Sequence, residues 1–389
     1  MAPKCLNAPP TGYIKSAELL QQRLGPVEFS SFGERAKVLN GFSRTVSMQT
    51  ARDIARHANV SRTTVSYVLA GRSQEMRIAP ETAQRVLDVA RELGYQRNGV
   101  AQAISSGKSR LFVFLTAIPE TEVVTRLKAG VIAGAEARGF GVQLVHFEEG
   151  HVSPSVIERC LAMRPAALIV GQGGSLIAPG EMAQLQTRLD AYGVPVAFLD
   201  DLWPLQPRLH LASDDRHGVA LAVEHLAGLG HRRIALVNGS SDSFISTMRE
   251  EGFRAGLARA GLESIEGFVT RGWWQDEATR ECVRALCAHP GGRPTAFVCA
   301  GDLMAMVTLR TLRALGLGVP CDASVVGYGD LLVAQYADPP LSTVRQPFAL
   351  LGERLVQRLL DSGSEPPRAP ELLPGELVVR DSTAPLSLA

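Results

Sequence analysis

From Leu111 onward the chain alternates short apolar runs with segments of helix length, and this rhythm limits the possible folds more than any other feature. The runs are Leu111-Phe-Val-Phe-Leu115, Val142-Gln-Leu-Val145, Ala167-Leu-Ile-Val170, Val196-Ala-Phe-Leu199, Ile234-Ala-Leu-Val237, Ala296-Phe-Val-Cys299 and Ser324-Val-Val326. Runs this short and this apolar fit strands buried on both faces. Strands separated by helices build parallel sheets with helices covering both sides. Seven runs over 279 residues predict two sheets, hence two α/β lobes with a cleft between them. Ligands bind at the carboxyl ends of the strands in such sheets.

The segment before Leu111 has a different character. The chain's net charge is +1, but residues 48–110 hold ten basic and five acidic residues and residues 1–47 hold six and three. That leaves 24 basic against 31 acidic residues for 111–389, a net of −7. A small basic module joined to a mildly acidic body points to a polyanionic partner at one end. Hydrophobic residues at 46% and charged residues at 20% fit globular domains and exclude a disordered or collagen-like chain. No apolar run reaches the ~18–20 residues that span a bilayer, so no membrane association is expected. Met1 to Pro10 lacks the basic-then-apolar pattern of a signal peptide. The six scattered cysteines have no C-x-x-C spacing. Both features predict a cytoplasmic protein with reduced thiols.

Within the basic module, Thr50 to Gly71 reads as two short helices about a tight turn. Thr50 and Asp53 make a capping-box-like start, and Ile54, Ala55 and Ala58 share one face. Asn59 suits the turn, and Ser61 can cap a second helix whose Val65, Val68 and Leu69 point inward. A third helix opens near Ala79-Pro80-Glu81, buries Val86, Leu87, Val89, Ala90 and Leu93, and stops at Gly94. This is the layout of an all-α helix-turn-helix, whose second helix enters a DNA major groove. Arg62, Thr63 and Thr64 would face outward there, where Arg can read guanine and Thr can meet base edges. Charge and periodicity alone fit a solvated face of a generic helical hairpin equally well.

The residues carry a resemblance that separates these two readings. Asp53-Ile54-Ala55, Ala58-Asn59-Val60-Ser61, Thr64-Val65-Ser66, Val68-Leu69-x-Gly71 and Glu92-Leu93-Gly94-Tyr95 resemble the DNA-binding headpiece of the lactose-repressor (LacI/GalR) family. Val100-Ala101-x-x-Ile104-x-Ser106-Gly107 resembles its hinge helix. The body resembles the family's sensor half, which has a periplasmic-binding-protein-like fold. The matching blocks there include Ser213-Asp214-Asp215, Leu229-Gly230-His231-Arg232-Arg233-Ile234, Ala300-Gly301-Asp302, Val325-Val326-Gly327-Tyr328 and Pro339 to Pro347. The resemblance covers residues 48 to about 383.

What the resemblance implies is specific. DNA contacts fall on Thr50, Ser61, Arg62, Thr63, Thr64, Ser66 and Tyr67 in the headpiece, and on Asn98, Ala101 and Ile104 in the hinge. Effector contacts fall on Asp200, Arg249, Trp274 and Asp302, with Trp273 competing for the aromatic role. The chain departs from the family at Tyr67, Arg97, Ile104, Gly301 and Gly329, and in a longer Gly71–Pro80 loop. Its expected division is 1–47 as an extension, disordered or preceding the true start; 48–97 as the DNA-binding domain; 98–110 as the hinge; and 111–389 as the effector-binding and dimerisation core. Lobe 1 is expected over about 111–212 and 322–348, and lobe 2 over about 213–321 and 349–389.

The implied function is a transcription repressor, a homodimer on double-stranded DNA with a pseudo-palindromic operator. Its affinity would be set by a small metabolite, a sugar or a relative, bound between the lobes. A cytoplasmic sugar-binding protein without DNA function is the alternative, to which the body alone would fit. A nucleotide-dependent enzyme is disfavoured: Gly171-Gln-Gly-Gly174 follows a strand but lacks both G-x-G-x-x-G and a P-loop. No G-x-S-x-G or H-E-x-x-H occurs, so neither catalysis, metal nor cofactor is expected. His225 and His231 are expected to be structural.

Overall fold

The computed structural model describes residues 49–95, 109–118, 121–148, 152–171, 179–200, 208–240, 243–272, 276–361 and 369–386. The chain separates into two compact units, residues 1–97 and 98–389. The extension 1–47 and most of the hinge, with Asn98, Ala101 and Ile104, lie outside the described residues.

The first unit holds helices α1 (Ala51–His57), α2 (Arg62–Leu69) and α3 (Pro80–Glu92). Local chemistry sets their ends. The Asp53 carboxylate accepts from the Thr50 amide at 2.9 Å and the Thr50 hydroxyl at 2.7 Å. Those bonds hold its pKa below the ordinary carboxylate value. Asn59 turns the chain at φ 52°, a left-handed backbone that Asn tolerates. Ser61 then accepts the Thr64 amide at 3.0 Å and caps α2. Ile54, Ala55, Ala58, Val65, Val68, Val86 and Ala90 form the core. Leu87 is a correction: it is 40% exposed, because the face that carries Val86, Ala90 and the half-buried Val89 and Leu93 points one residue's rotation away from it.

The second unit is built on β1 (Leu111–Ile118), β2 (Gly141–Glu148), β3 (Ala167–Val170), β4 (Val196–Leu199), β5 (Leu209–Ser213), β6 (Ile234–Asn238), β7 (Val269–Arg271), β8 (Ala296–Cys299), β9 (Ser324–Gly329), β10 (Ser342–Arg345), β11 (Glu371–Leu373) and β12 (Glu376–Val378). Two six-stranded sheets result, in the orders β11-β5-β4-β3-β1-β2 and β12-β10-β9-β8-β6-β7. Every pairing is parallel except β12 against β10 at one edge. Helices α4 (Glu122–Glu136), α5 (Pro154–Ala162) and α6 (Pro179–Ala191) belong to the first lobe. Helices α7 (Asp215–Gly228), α8 (Phe244–Arg259), α9 (Asp276–Cys287), α10 (Asp302–Ala314) and α11 (Leu332–Gln335) belong to the second. Helix α12 (Phe348–Asp361) returns to the first lobe, where its Phe348, Leu351, Leu355 and Val356 join the apolar layer of α4, β1 and β5. It packs against α4 closely enough that a Cβ on Gly130 would lie 2.0 Å from the Ala349 oxygen.

The expected lobe boundaries are therefore corrected. Within the range 322–348 only Phe348 belongs to lobe 1, as the start of α12; β9 runs in register with β8, and β10 with β9, in lobe 2. Nor does 349–389 lie wholly in lobe 2, since α12 and β11 belong to lobe 1 and only β12 returns. The chain crosses between lobes three times, after β5, after β10 and at Pro374-Gly375. The crossings touch: the Asp214 amide donates to the Leu373 carbonyl at 2.8 Å. No described helix is long and apolar enough to cross a membrane.

Candidate functional site

Two constellations stand out, one in each unit. In the first, α2 begins with no acidic residue in its first turn, so its positive dipole end is unopposed. Arg62 and Thr63 are exposed there, Ser66 is exposed one turn on, and the caps Ser61 of α2 and Thr50 of α1 are exposed as well. Thr64 is half-buried, with its hydroxyl 2.9 Å from that of Ser61. Tyr67, also half-buried, lies under the Arg72 guanidinium at 5.6 Å. Arg72 in turn binds Glu75 through two nitrogens, at 2.7 and 2.5 Å. The first turn of α2 therefore displays Arg62 beside exposed hydroxyls, with the half-buried Tyr67 ring and its Arg72 partner beyond them.

In the second unit the polar groups gather where the lobes cross. Asp200 ends β4 at φ 55° and is 7% exposed. Its Oδ1 accepts from the Ser213 amide at 3.2 Å and the Ser213 hydroxyl at 3.0 Å, both at the end of β5. Burial, then the neighbouring charge of Asp215, pushes its pKa up to about 7. Near neutral pH it can therefore donate or accept a hydrogen bond. Asp215, at the start of α7, sits 3.4 Å from Arg249 Nη2 and 3.5 Å from Gln346 Nε2. Arg249 comes from α8, is 7% exposed and donates to the Ala300 carbonyl. Its guanidinium lies 4.3 Å from the centre of the Tyr328 ring, a cation–π stack away from water. The Tyr328 hydroxyl is held neutral by burial and by Asp215. Residues from β4, β5, α7, α8, β9 and the second crossing thus converge on one buried cluster.

Asp302 opens α10 and is fully buried, with its pKa raised by burial to about 6. Its oxygens accept the Thr343 hydroxyl and the Leu331 amide, both at 2.6 Å. Glycines make the room: a Cβ on Gly327 would lie 2.2 Å from Asp302 Oδ1. Trp274, with Trp273, lies outside the described residues; the chain is described up to Gly272, just past β7. Of the four effector candidates the structure thus joins Asp200 and Arg249 through Asp215, and holds Asp302 by its own lobe.

Sequence reasoning gave no role to Asp215, Tyr328 or Gln346. The signal that could have found them was their presence in the blocks Ser213-Asp214-Asp215, Gly327-Tyr328 and Arg345-Gln346-Pro347. His231 meets Thr295 at 3.0 Å, Ser324 at 3.0 Å and the Ala384 carbonyl at 3.1 Å, and His225 meets Thr383 at 3.1 Å. Both histidines thus fasten the C-terminal segment to lobe 2. No group of three potential metal ligands occurs among the described residues.

Comparison with known proteins follows the same division. Residues 50–98 match the family "Bacterial regulatory proteins, lacI family", and residues 223–383 match "Periplasmic binding protein-like domain". A transcriptional regulator of Streptomyces coelicolor, MalR, is 34% identical over 339 residues, which is 85% of this chain and 96% of MalR. The lac repressor dimer bound to operator and an anti-inducer superposes with a TM-score of 0.67 at 29% identity, covering 86% of this chain and 99% of that one. The complex of the regulator CelR with cellobiose gives 0.60 at 28% identity, covering 86% and 99%. The chain belongs to the lacI family of bacterial regulatory proteins, transcription regulators that join a DNA-binding headpiece to an effector-binding core.

Proposed function

We propose that this regulator is a repressor, that it works as a homodimer on a pseudo-palindromic operator, and that a small polar metabolite of the sugar class sets its operator affinity. The observation that carries the reading is the pairing of the exposed first turn of α2 with a buried Asp200–Asp215–Arg249–Tyr328 cluster at the lobe crossings. Carboxylates beside a guanidinium hydrogen-bond the hydroxyls of a ring-shaped ligand, and an aromatic face covers its apolar side. The CelR–cellobiose complex supports a sugar. The lac repressor dimer on its operator supports the dimer and the DNA.

In this reading Thr50, Ser61, Arg62, Thr63, Thr64, Ser66 and Tyr67 meet DNA from the headpiece, and Asn98, Ala101 and Ile104 from the hinge. Asp200, Arg249, Trp274 and Asp302 meet the effector. Both Asp302 oxygens already accept protein donors, so a ligand that reaches Asp302 shares its carboxylate with them. The protein acts in the cytoplasm and catalyses no reaction. Selection of bound duplexes from a random library, with the full chain at moderate salt, tests this. A recovered palindrome of ~16–20 base pairs is expected, two half-sites mirroring a two-fold dimer. No enrichment, with or without sugars, would favour a sugar-binding protein that does not act on DNA.

A further inference from the structure

Away from the crossing segments, the lobes also meet where α4 of lobe 1 and α11 of lobe 2 begin. The residue before α11 is Leu331, which has no side-chain oxygen to accept the amides that open a helix. Those amides are taken instead by two carboxylates from elsewhere in the chain. The Leu331 amide donates to Asp302 Oδ2 at 2.6 Å. The Leu332 amide donates across the lobe boundary to both oxygens of Glu122, the first residue of α4, at 3.0 and 3.1 Å. Arg126, one turn along α4, holds Glu122 at 2.6 Å. The Leu331 side chain packs against the lobe 1 apolar layer that includes Val124 and Leu127 of α4.

We propose that Leu331-Leu332 is an interlobe latch, with Glu122 as its catch and Asp302 as the positioning residue that aims it. The proposal rests on the reading of the cleft as the effector site. One consequence follows from the hydrogen-bond count at Asp302. Its carboxylate receives the Thr343 hydroxyl on one oxygen and the Leu331 amide on the other. A ligand hydroxyl that binds either oxygen shares it with one of these donors and weakens that bond, so occupancy of the cleft and the setting of the latch meet at one side chain. Two states that ligand can bias through a shared group are what allosteric coupling requires. The catch lies on α4, so the latch state is transmitted to lobe 1, whose first strand follows directly on the hinge segment 98–110.

Amide hydrogen exchange on the full chain, without DNA or effector, tests the latch in wild type, Glu122→Ala, Glu122→Gln and Asp302→Asn. Asp302→Asn is expected to raise exchange roughly tenfold, the effect of losing one charge-assisted hydrogen bond. The rise should appear both over 330–335 and, on the other lobe, over the first turns of α4 (122–127). Glu122→Ala should expose the Leu332 amide to a similar degree, and Glu122→Gln, which keeps an acceptor oxygen, should restore most of the protection. Faster exchange confined to lobe 2 in Asp302→Asn, with 122–127 as in wild type, would overturn the proposal. If Asp302→Asn does not fold, Leu331→Ala carries the same two outcomes. Because neither duplex nor sugar is needed, failure of the latch and failure of the repressor reading are told apart.

Discussion

In the headpiece every proposed contact from Thr50 to Tyr67 lies in one short stretch of chain, on or beside two helices, and most are exposed. In the cleft the groups that meet come from Asp200, Ser213, Asp215, Arg249, Tyr328 and Gln346, and nearly all are buried. The first surface is displayed by local chemistry: a cap at Ser61, a left-handed turn at Asn59, an apolar stripe underneath. The second is assembled by topology, because three crossings of the chain bring distant strand ends together. A displayed surface tolerates substitution of its outward residues at little cost to stability. An assembled one couples every change to folding, to pH and to the position of the lobes.

The sharpest way to break this contrast is to damage each unit from within. Ile54 is fully buried in a small core, and Ile54→Ala should cost about 2–5 kcal/mol. Duplex binding should be lost while the melting transition of the 98–389 unit stays where it is, as read by calorimetry. A parallel fall in that transition would show that the two units do not fold independently.

The next effect is on pH dependence, and its sign is fixed by Asp200. Its folded pKa of about 7 lies above the ordinary carboxylate value of 3.8. The folded state therefore holds the proton more tightly than the unfolded chain. The stabilisation is complete below about pH 4 and is lost as pH rises through about 7. Asp302, raised to about 6, acts in the same direction. The core should thus lose up to about 4 kcal/mol on the Asp200 shift alone. Melting curves from pH 5 to 8 should show the decline, and Asp200→Asn should flatten much of it. His225 and His231, whose pKa values burial lowers, act in the opposite direction, so an Asp200→Asn core whose pH dependence matched that of wild type would contradict the burial of Asp200.

Smaller effects separate base reading from backbone contact. Arg62→Ala should cost about 1–3 kcal/mol at one base pair and relax preference there. Lys108, a basic residue of the hinge segment 98–110, is proposed to meet phosphate alone, so Lys108→Ala should weaken all duplexes alike and reduce the salt slope by about one. Equal losses across sequences for both variants would mean that Arg62 does not read bases. Smallest of all, Ser61→Ala removes the cap of α2 and should lower headpiece stability by about 1 kcal/mol, seen by circular dichroism.

The contrast also explains what the sequence revealed. The headpiece was legible because each cap, turn and buried face sits within a few residues of its partner. Leu87 was misplaced because a helical stripe leaves its edges ambiguous. In the core, the apolar runs at β1, β3, β4, β6, β8 and β9 were legible as buried strands, whereas β2 lies at a sheet edge with Gln143 and His146 exposed. Strand β5 was not, although all five of its residues are buried, because His210 and Ser213 interrupt the apolar run. Strand β10 begins Ser342-Thr343, fully buried hydroxyls that read as loop and are satisfied by distant partners such as Arg380 and Asp302. The return of α12 to lobe 1 leaves no local trace either, since an amphipathic helix does not declare which sheet it covers. Asp200 and Arg249 could be named in advance only through the family pattern. Their shared partner, Asp215, followed from the fold.

The central claim is that the buried cluster governs what the exposed first turn of α2 does. Fluorescence anisotropy of the selected duplex, with and without a sugar that raises the melting temperature of the core, tests it directly in wild type and Arg249→Ala. The expected result is a shift in duplex Kd of at least about tenfold in wild type, a coupling of ~1.4 kcal/mol, and no shift in the variant. A sugar that binds the core yet leaves the wild-type Kd unchanged would contradict it.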